Sequence, residues 1–190
     1  MIKTLDKTID IRANYALAHV VKAILLIGEA DTGRERLMKS LGLNEAPART
    51  LLNNLERNKL VKATPKGHIF TEGGRKLFAY LRANISGPEK IAKTPMTLSR
   101  HNIAYLVRGK AAKIRHGLEQ RDQAILMGAD GLTTLVYSDN LHMAGVKWKV
   151  PDELNKIFDY RKGDVLLIGS AKDERTAEFA SLNAAIRLLR

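Results

Sequence analysis

The sequence predicts an α+β protein in two parts: a mostly helical N-terminal half with one β-hairpin, and a C-terminal half built as an α/β sandwich. Three observations lead there. Apolar residues recur at helical spacing from Leu17 to Leu55, two short apolar segments flank a basic Pro/Gly turn near Gly67, and beyond Arg100 short apolar runs alternate with helical patterns. A chain of 190 residues is long enough for two small domains.

In the first half, Leu17, Val20, Val21 and Ile24 place one apolar face on a helix from about Arg12 to Ile27, with Gly28 as its expected stop. Leu37, Met38 and Leu41 predict a short second helix ending at Gly42. Asn44 is suited to cap a third helix, with Pro47 tolerated in its first turn. In that third helix Ala48, Leu51, Leu52 and Leu55 share one face. Ala46, Arg49, Thr50, Asn53 and Arg57 fall on the opposite one. Leu60, Val61 and Lys62 start a strand, Pro65, Lys66, Gly67 and His68 form a basic turn, and Ile69 and Phe70 return. Thr71 is then the expected cap of a fourth helix carrying Leu77, Phe78 and Leu81. Three helices, a hairpin and a helix make a winged helix. In such a domain the second helix of the pair enters the DNA major groove, where Arg reads guanine or phosphate and Asn reads adenine. Arg49, Thr50, Asn53 and Arg57, with Lys66 and His68 in the wing, are the candidate contacts to double-stranded DNA; each is equally an ordinary solvent-facing residue.

Between Leu81 and Leu98 the stretch RANISGPEKIAKTPMT has neither helical nor strand periodicity and reads as a boundary, giving domains 1–86 and 97–190. Charge is unevenly divided across it. The chain carries 32 basic and 20 acidic residues, net +12, and residues up to Lys93 hold 17 basic and 9 acidic ones, an excess of eight. A polyanion partner is therefore expected at the first half.

In the second half, Ile103 to Val107 reads as a buried strand. A long helix through Ala111, Ile114, Leu118 and Ile125 to Gly128 follows, then a strand from Leu132 to Tyr137. LHMAGVKWKV is expected to form another strand, Pro151 to open a short helix, Val165 to Ile168 to form a strand, and Lys172 to Leu189 the closing helix. Counted from Leu118, Arg121 and Asp122 share the stripe of Ile114 and Ile125, which predicts inward-facing polarity. That polarity means either an ion pair to a neighbouring element or the wall of a ligand cavity.

Small residues beside cations at Arg108-Gly109-Lys110 and at Gly169-Ser170-Ala171-Lys172 read as strand-to-helix junctions suited to a phosphate or carboxylate. Arg108, Gly109, Lys110, Glu119, Arg121, Asp122, Gly169 and Ser170 are accordingly the candidate residues for a small anionic effector. Each is a weak signal on its own, since a Gly at a strand end is more often just a turn.

GRERLMKSLGLNEAPARTLLNNLERNKLVKATPKGHIFTEGGRKL resembles the winged helix-turn-helix domains of bacterial and archaeal transcriptional regulators. In that resemblance LGLNEAPARTLLNNLER matches the turn and recognition helix, and LVKATPKGHIFTEGG the wing. LSRHNIAYLV with RGKAAKIRHGLEQRDQAILMGADGLTTLVY, and the later KGDVLLIGSAKDERTAEFASLNAA, resemble the domain of unknown function that follows a winged helix in a family of uncharacterised archaeal proteins. The resemblance implies a regulator-like layout and assigns no reaction.

No catalytic residue, cofactor or metal ligand is expected. Ser170, Thr133 and Thr134 lack a local base, no GxSxG elbow is present, and Glu119 with Asp122 is a pair that arises often by chance. His19, His68, His101, His116 and His142 are scattered and the chain has no cysteine, which excludes disulfides and thiolate metal sites. The opening residues lack the apolar core of a signal peptide, and no run approaches the roughly 20 apolar residues of a membrane span, so a cytoplasmic chain with no membrane contact is expected. The expected function is a dimeric DNA-binding transcriptional regulator. Its second domain would bind an effector or a second copy, the latter through the line Phe179, Leu182, Ile186 and Leu189 on the last helix. The alternatives are an enzyme acting on a small anionic or phosphorylated metabolite, and a protein-interaction module.

Overall fold

Helical apolar spacing in the N-terminal part produces four α-helices and a hairpin in the computed structural model, which describes residues 2–9, 14–29, 33–65 and 67–190. The chain is a mixed α+β fold whose N-terminal helical region and small hairpin are followed by a larger β-sheet unit. Two compact units divide between Arg82 and Ala83.

The first unit opens with a 3-10 helix, Ile2–Thr8, followed by α1 (Leu17–Glu29), α2 (Arg34–Leu41), α3 (Glu45–Arg57), the strands β1 (Val61–Thr64) and β2 (Gly67–Phe70), and α4 (Glu72–Asn84). Leu5, Ile24, Leu37, Leu51, Leu55 and Leu81 are almost fully buried. The opening 3-10 helix is tied to α3 through polar groups: Tyr15 Oη donates to the Thr8 carbonyl at 2.8 Å, and Asn54 Nδ2 donates to Tyr15 Oη at 2.8 Å. Thr71 caps α4 as expected, its hydroxyl accepting from the Gly74 amide at 3.1 Å. Gly28 does not stop α1. The helix runs one residue past it, to Glu29, and the Phe78 ring packs onto Gly28, the nearest ring carbon 2.3 Å from where a Cβ would stand.

The segment 81–98 is not a structureless connection. Ile85–Lys90 forms β3, the edge strand of the second unit, with a register shift between Ser86 and Glu89 that absorbs Gly87 and Pro88. The sheet continues with β4 (His101–Val107), β5 (Gly131–Tyr137), the short β6 (Leu141–His142) and β7 (Val165–Ala171) in the order β3-β4-β7-β5-β6, all neighbours antiparallel. Because β7 lies antiparallel between β4 and β5, those two run parallel with a third strand inserted between them. This is a split β-α-β arrangement with α5 (Leu118–Ile125) in the crossover. LHMAGVKWKV contributes only the two residues of β6 and an isolated bridge between Met143 and Val146, so the longer strand expected there does not form.

Alternate residues of the sheet serve two faces. Ala104, Leu106, Leu135, Leu166 and Ile168 join Ile91, Met96 and Val150 from the loops and Leu154 from a 3-10 helix, Asp152–Lys156. On the other face Ile103 and Gly169 meet α6 (Glu174–Leu188) through Ser181, whose hydroxyl donates to the Ile103 carbonyl at 2.7 Å and accepts from the Gly169 amide at 2.9 Å. Covered on both faces, β7 is buried at all seven positions.

The long helix expected from Ala111 to Gly128 is broken. Ala111–Lys113 is a 3-10 turn, and Gly117, with φ 75°, separates it from α5. The break changes the helical phase: Gln120 and Ala124 face inward, while Glu119, Arg121, Asp122 and Ile125 are exposed. The inward polarity expected at Arg121 and Asp122 is thereby corrected. In α6 the line Phe179, Leu182 and Ile186 is 4%, 0% and 0% exposed, and Leu189 just beyond it is 7% exposed, so the chain itself covers the face expected to meet a second copy. Among the described residues no helix is long and apolar enough to cross a membrane.

Candidate functional site

Burial of Ala48, Leu51, Leu52 and Leu55 fixes which side of α3 looks outward. The three residues Gly42, Leu43 and Asn44 join α2 to α3, and Arg49, Asn53 and Arg57 then stand four residues apart on the exposed face. Arg49 is ion-paired to Glu45 one turn earlier, with both side chains more than half exposed. Such a pair on a solvated helix is worth only a few tenths of a kcal/mol and yields readily to a stronger anion. The Asn53 amide and the Arg57 guanidinium have no hydrogen-bond or ion-pair partner among the described residues. Thr50 is half-buried and spends its hydroxyl on the Ala46 carbonyl at 3.0 Å, so it does not join the stripe.

Lys66 lies outside the described residues. His68, expected in an exposed turn, is instead within β2 opposite Ala63, with its side chain only 12% exposed. Its Nε2 lies 3.5 Å from Glu56 Oε1 of α3. Burial lowers the His68 pKa, opposed by the Glu56 carboxylate and reinforced by Arg34, which keeps the ring neutral near pH 7. His68 therefore faces α3 without a hydrogen bond to Glu56, whose Oε1 is buried and unpartnered, and offers no cation to a phosphate. The outward face of the hairpin carries a pair that sequence reasoning missed, Lys62 opposite Ile69, the latter 40% exposed. Strand alternation from Val61, which is buried, was the available signal for both.

In the second unit the two junctions expected to bind an anion are closed by the protein. Arg108 Nη1 donates to Asp164 Oδ2 at 2.6 Å and to the Asp159 carbonyl at 2.6 Å. The Gly109 amide donates to Asp164 Oδ1 at 3.0 Å, and the Arg161 amide donates to Asp164 Oδ2 at 2.8 Å. The anion that Arg108 and Gly109 suit is thus the Asp164 carboxylate, 2% exposed. Lys110 begins only a three-residue 3-10 turn, too short to present a set of free helix amides. Gly169 and Ser170 are not a junction at all, since both lie inside β7. Ser170 Oγ donates to Asn102 Oδ1 at 2.7 Å and accepts from the Leu98 amide at 3.2 Å.

The second unit does hold open concavities elsewhere. A groove of about 320 Å³ is lined by Lys113, Glu119, Gln120, Gln123, Arg187 and Leu188. Another, of about 250 Å³, is formed by the segment from Arg115 to Gln120 at the start of α5. Of the expected ligand residues only Glu119 lines either; Arg121 and Asp122 do not. Among the described residues no three His, Asp or Glu side chains converge in a way that could hold a metal ion.

Residues 98–188 match the model of a family described as a domain of unknown function, DUF4443. The match starts just before β4 and ends with α6, so it spans most of the second unit. A hypothetical protein from Pyrococcus horikoshii OT3, whose structure has been solved, is similar to this chain at 25% identity and a TM-score of 0.75, over 92% of this chain and 93% of that one. No curated protein matches the chain.

Proposed function

We propose that the first unit is a winged helix-turn-helix domain that binds duplex DNA, with α3 in the major groove and the β1–β2 hairpin on the backbone. The observation that carries this reading is the outward stripe of α3, where Arg49, Asn53 and Arg57 repeat every fourth residue opposite a fully apolar inner face. Guanidinium and amide groups are the ones that read base edges in pairs of hydrogen bonds. Two of the three have no competing partner within the described residues. Lys62 on the exposed face of the hairpin supplies a backbone contact, and the excess of basic residues in this half supplies long-range attraction. One such unit buries little DNA surface, so recognition of a specific site calls for two copies on half-sites about one helical turn apart. The contact between them lies away from the covered line of α6.

The test is fluorescence anisotropy on a pool of duplex fragments across a salt series, followed by the same measurement on the preferred sequence. Asn53→Ala with Arg57→Ala should cost at least tenfold in preference for that sequence over random duplex. Lys62→Ala should weaken both alike and reduce the salt slope by about one. Binding that is absent, or independent of salt, overturns the DNA reading in favour of a protein-interaction module.

A further inference from the structure

The groove between the 3-10 turn at Ala111–Lys113, α5 and the end of α6 carries side chains that the fold leaves unused. Gln120 is the clearest case. It is only 7% exposed, its side chain lines the groove, and its amide makes no hydrogen bond to any described residue. The amide atoms reach the solvent of the groove, so a ligand can meet both the N–H and the C=O group by displacing water and without breaking a contact of the fold. Around it stand Arg187 and Glu119, both without an ion-pair partner among the described residues, and Gln123, whose side-chain amide is likewise unpartnered. Lys113 spends one N–H on the Leu188 carbonyl at 3.1 Å, which covers the negative end of α6 and leaves two donors for the groove.

We propose that this groove is a binding site for a small organic anion that also carries a hydrogen-bond donor, the class of amino acids and hydroxy acids. The carboxylate would sit between Lys113 and Arg187, the donor group would meet Glu119, and Gln120 would bridge the two, since its amide both donates and accepts. A volume of about 320 Å³ matches a molecule of this size. The unpaired Glu119 carboxylate argues against a bare inorganic anion, which it would repel. This site is separate from the closed Arg108–Asp164 contact and does not rest on the DNA reading, since neither the groove nor its test involves DNA.

The test is a thermal-shift screen of the intact protein against the twenty L-amino acids, malate, lactate and citrate, with sodium sulfate at matched ionic strength as the control. The best compound is then titrated into isotope-labelled protein with backbone amide shifts as the readout. The expected result is one or more organic anions that raise the melting temperature above the sulfate control. Shift changes should be confined to residues 111–113, 118–124 and 184–188, and affinity should fall at least tenfold in both Gln120→Leu and Arg187→Gln. A screen in which no compound exceeds sulfate overturns the proposal, as do shift changes that map elsewhere. Unchanged affinity in both variants does the same. Should either variant fail to fold, the shift map of the unsubstituted protein decides alone.

Discussion

Asp164→Ala tests whether the Arg108–Gly109 turn is a closed structural contact. The Asp164 carboxylate is 2% exposed and receives the Arg108 guanidinium and the backbone amides of Gly109 and Arg161. Removing it leaves a cation 23% exposed with only the Asp159 carbonyl as acceptor, and strands two amides. Losing one partner of a buried ion pair costs about 3–5 kcal/mol, and each stranded amide falls within the same penalty rather than adding freely to it. With a urea m-value of about 2 kcal/mol/M, the midpoint of unfolding should fall by about 2 M, measured by circular dichroism. The vacated position is shaped for a carboxylate, so formate should restore part of the loss in the variant and do nothing for the parent protein. Asp159→Ala removes an exposed side chain while keeping the carbonyl that Arg108 uses, and should change stability by less than about 0.5 kcal/mol. An Asp164→Ala variant within about 1 kcal/mol of the parent and indifferent to formate would refute the account and return this turn to the ligand candidates.

Leu182→Glu should unfold the second unit rather than divide a dimer. The side chain is 0% exposed, and an unpaired carboxylate there costs about 4 kcal/mol or more; a folded monomer by light scattering and circular dichroism would restore the two-fold contact. Acid should weaken the first unit through His19, which burial holds down to about 4 from 6.5 while its Nδ1 accepts from the Ala16 amide at 3.0 Å. The unfolded chain then binds the extra proton first, so this contribution is complete above pH 6.5 and is lost as pH falls toward 4. It is worth about 2 kcal/mol once screening at a half-buried ring is allowed for. His68 is shifted in the same direction and adds to the effect. His19→Asn keeps an acceptor for Ala16 and should flatten the acid side of a stability–pH curve; an unchanged curve counts against the assignment.

The first unit was legible because its elements are local. Leu37 to Leu41 and Ala48 to Leu55 show helical spacing, and Thr71 precedes its helix at capping distance. Its misreadings come from contacts at long range. Gly28 reads as a stop one residue before α1 ends, and what requires a glycine there is Phe78, fifty residues later, which occupies the place of its Cβ. His68 looks like a turn residue until the pairing with Ala63 turns it toward Glu56. In the second unit, Gly169 and Ser170 resemble the end of a strand because both are small. Gly169 is small because α6 crosses there, a Cβ on it standing 2.5 Å from Ser181 Oγ and 2.6 Å from the Ala177 carbonyl, while Ser170 on the other face uses its hydroxyl on Asn102 and the Leu98 amide. Counting 100° per residue from Ile114 to Ile125 failed because the chain leaves the helix between them, with Ile114 extended and Gly117 at positive φ, which exchanged Arg121 and Asp122 for Gln120 on the inner side.

That exchange explains why the candidate ligand site moved while its expected chemistry did not. A cation beside a small residue marks an anion site only if the fold does not already supply the anion. Arg108 and Asp164 are 56 residues apart, so no local spacing could show that the carboxylate was internal. The same criterion applied to the folded chain separates the remaining cations. Arg57 on α3 and Arg187 at the groove make no ion pair among the described residues, whereas Arg82 is held by Glu29 and Lys90 by Glu174. Free cations on an exposed helical stripe suit an extended polyanion, which gains from every repeat of charge. A free cation beside an unpartnered amide suits a small anion that can satisfy both at once. Arg57 and Arg187 are the same residue type, and what each can bind is set by whether its surroundings are a ridge or a groove.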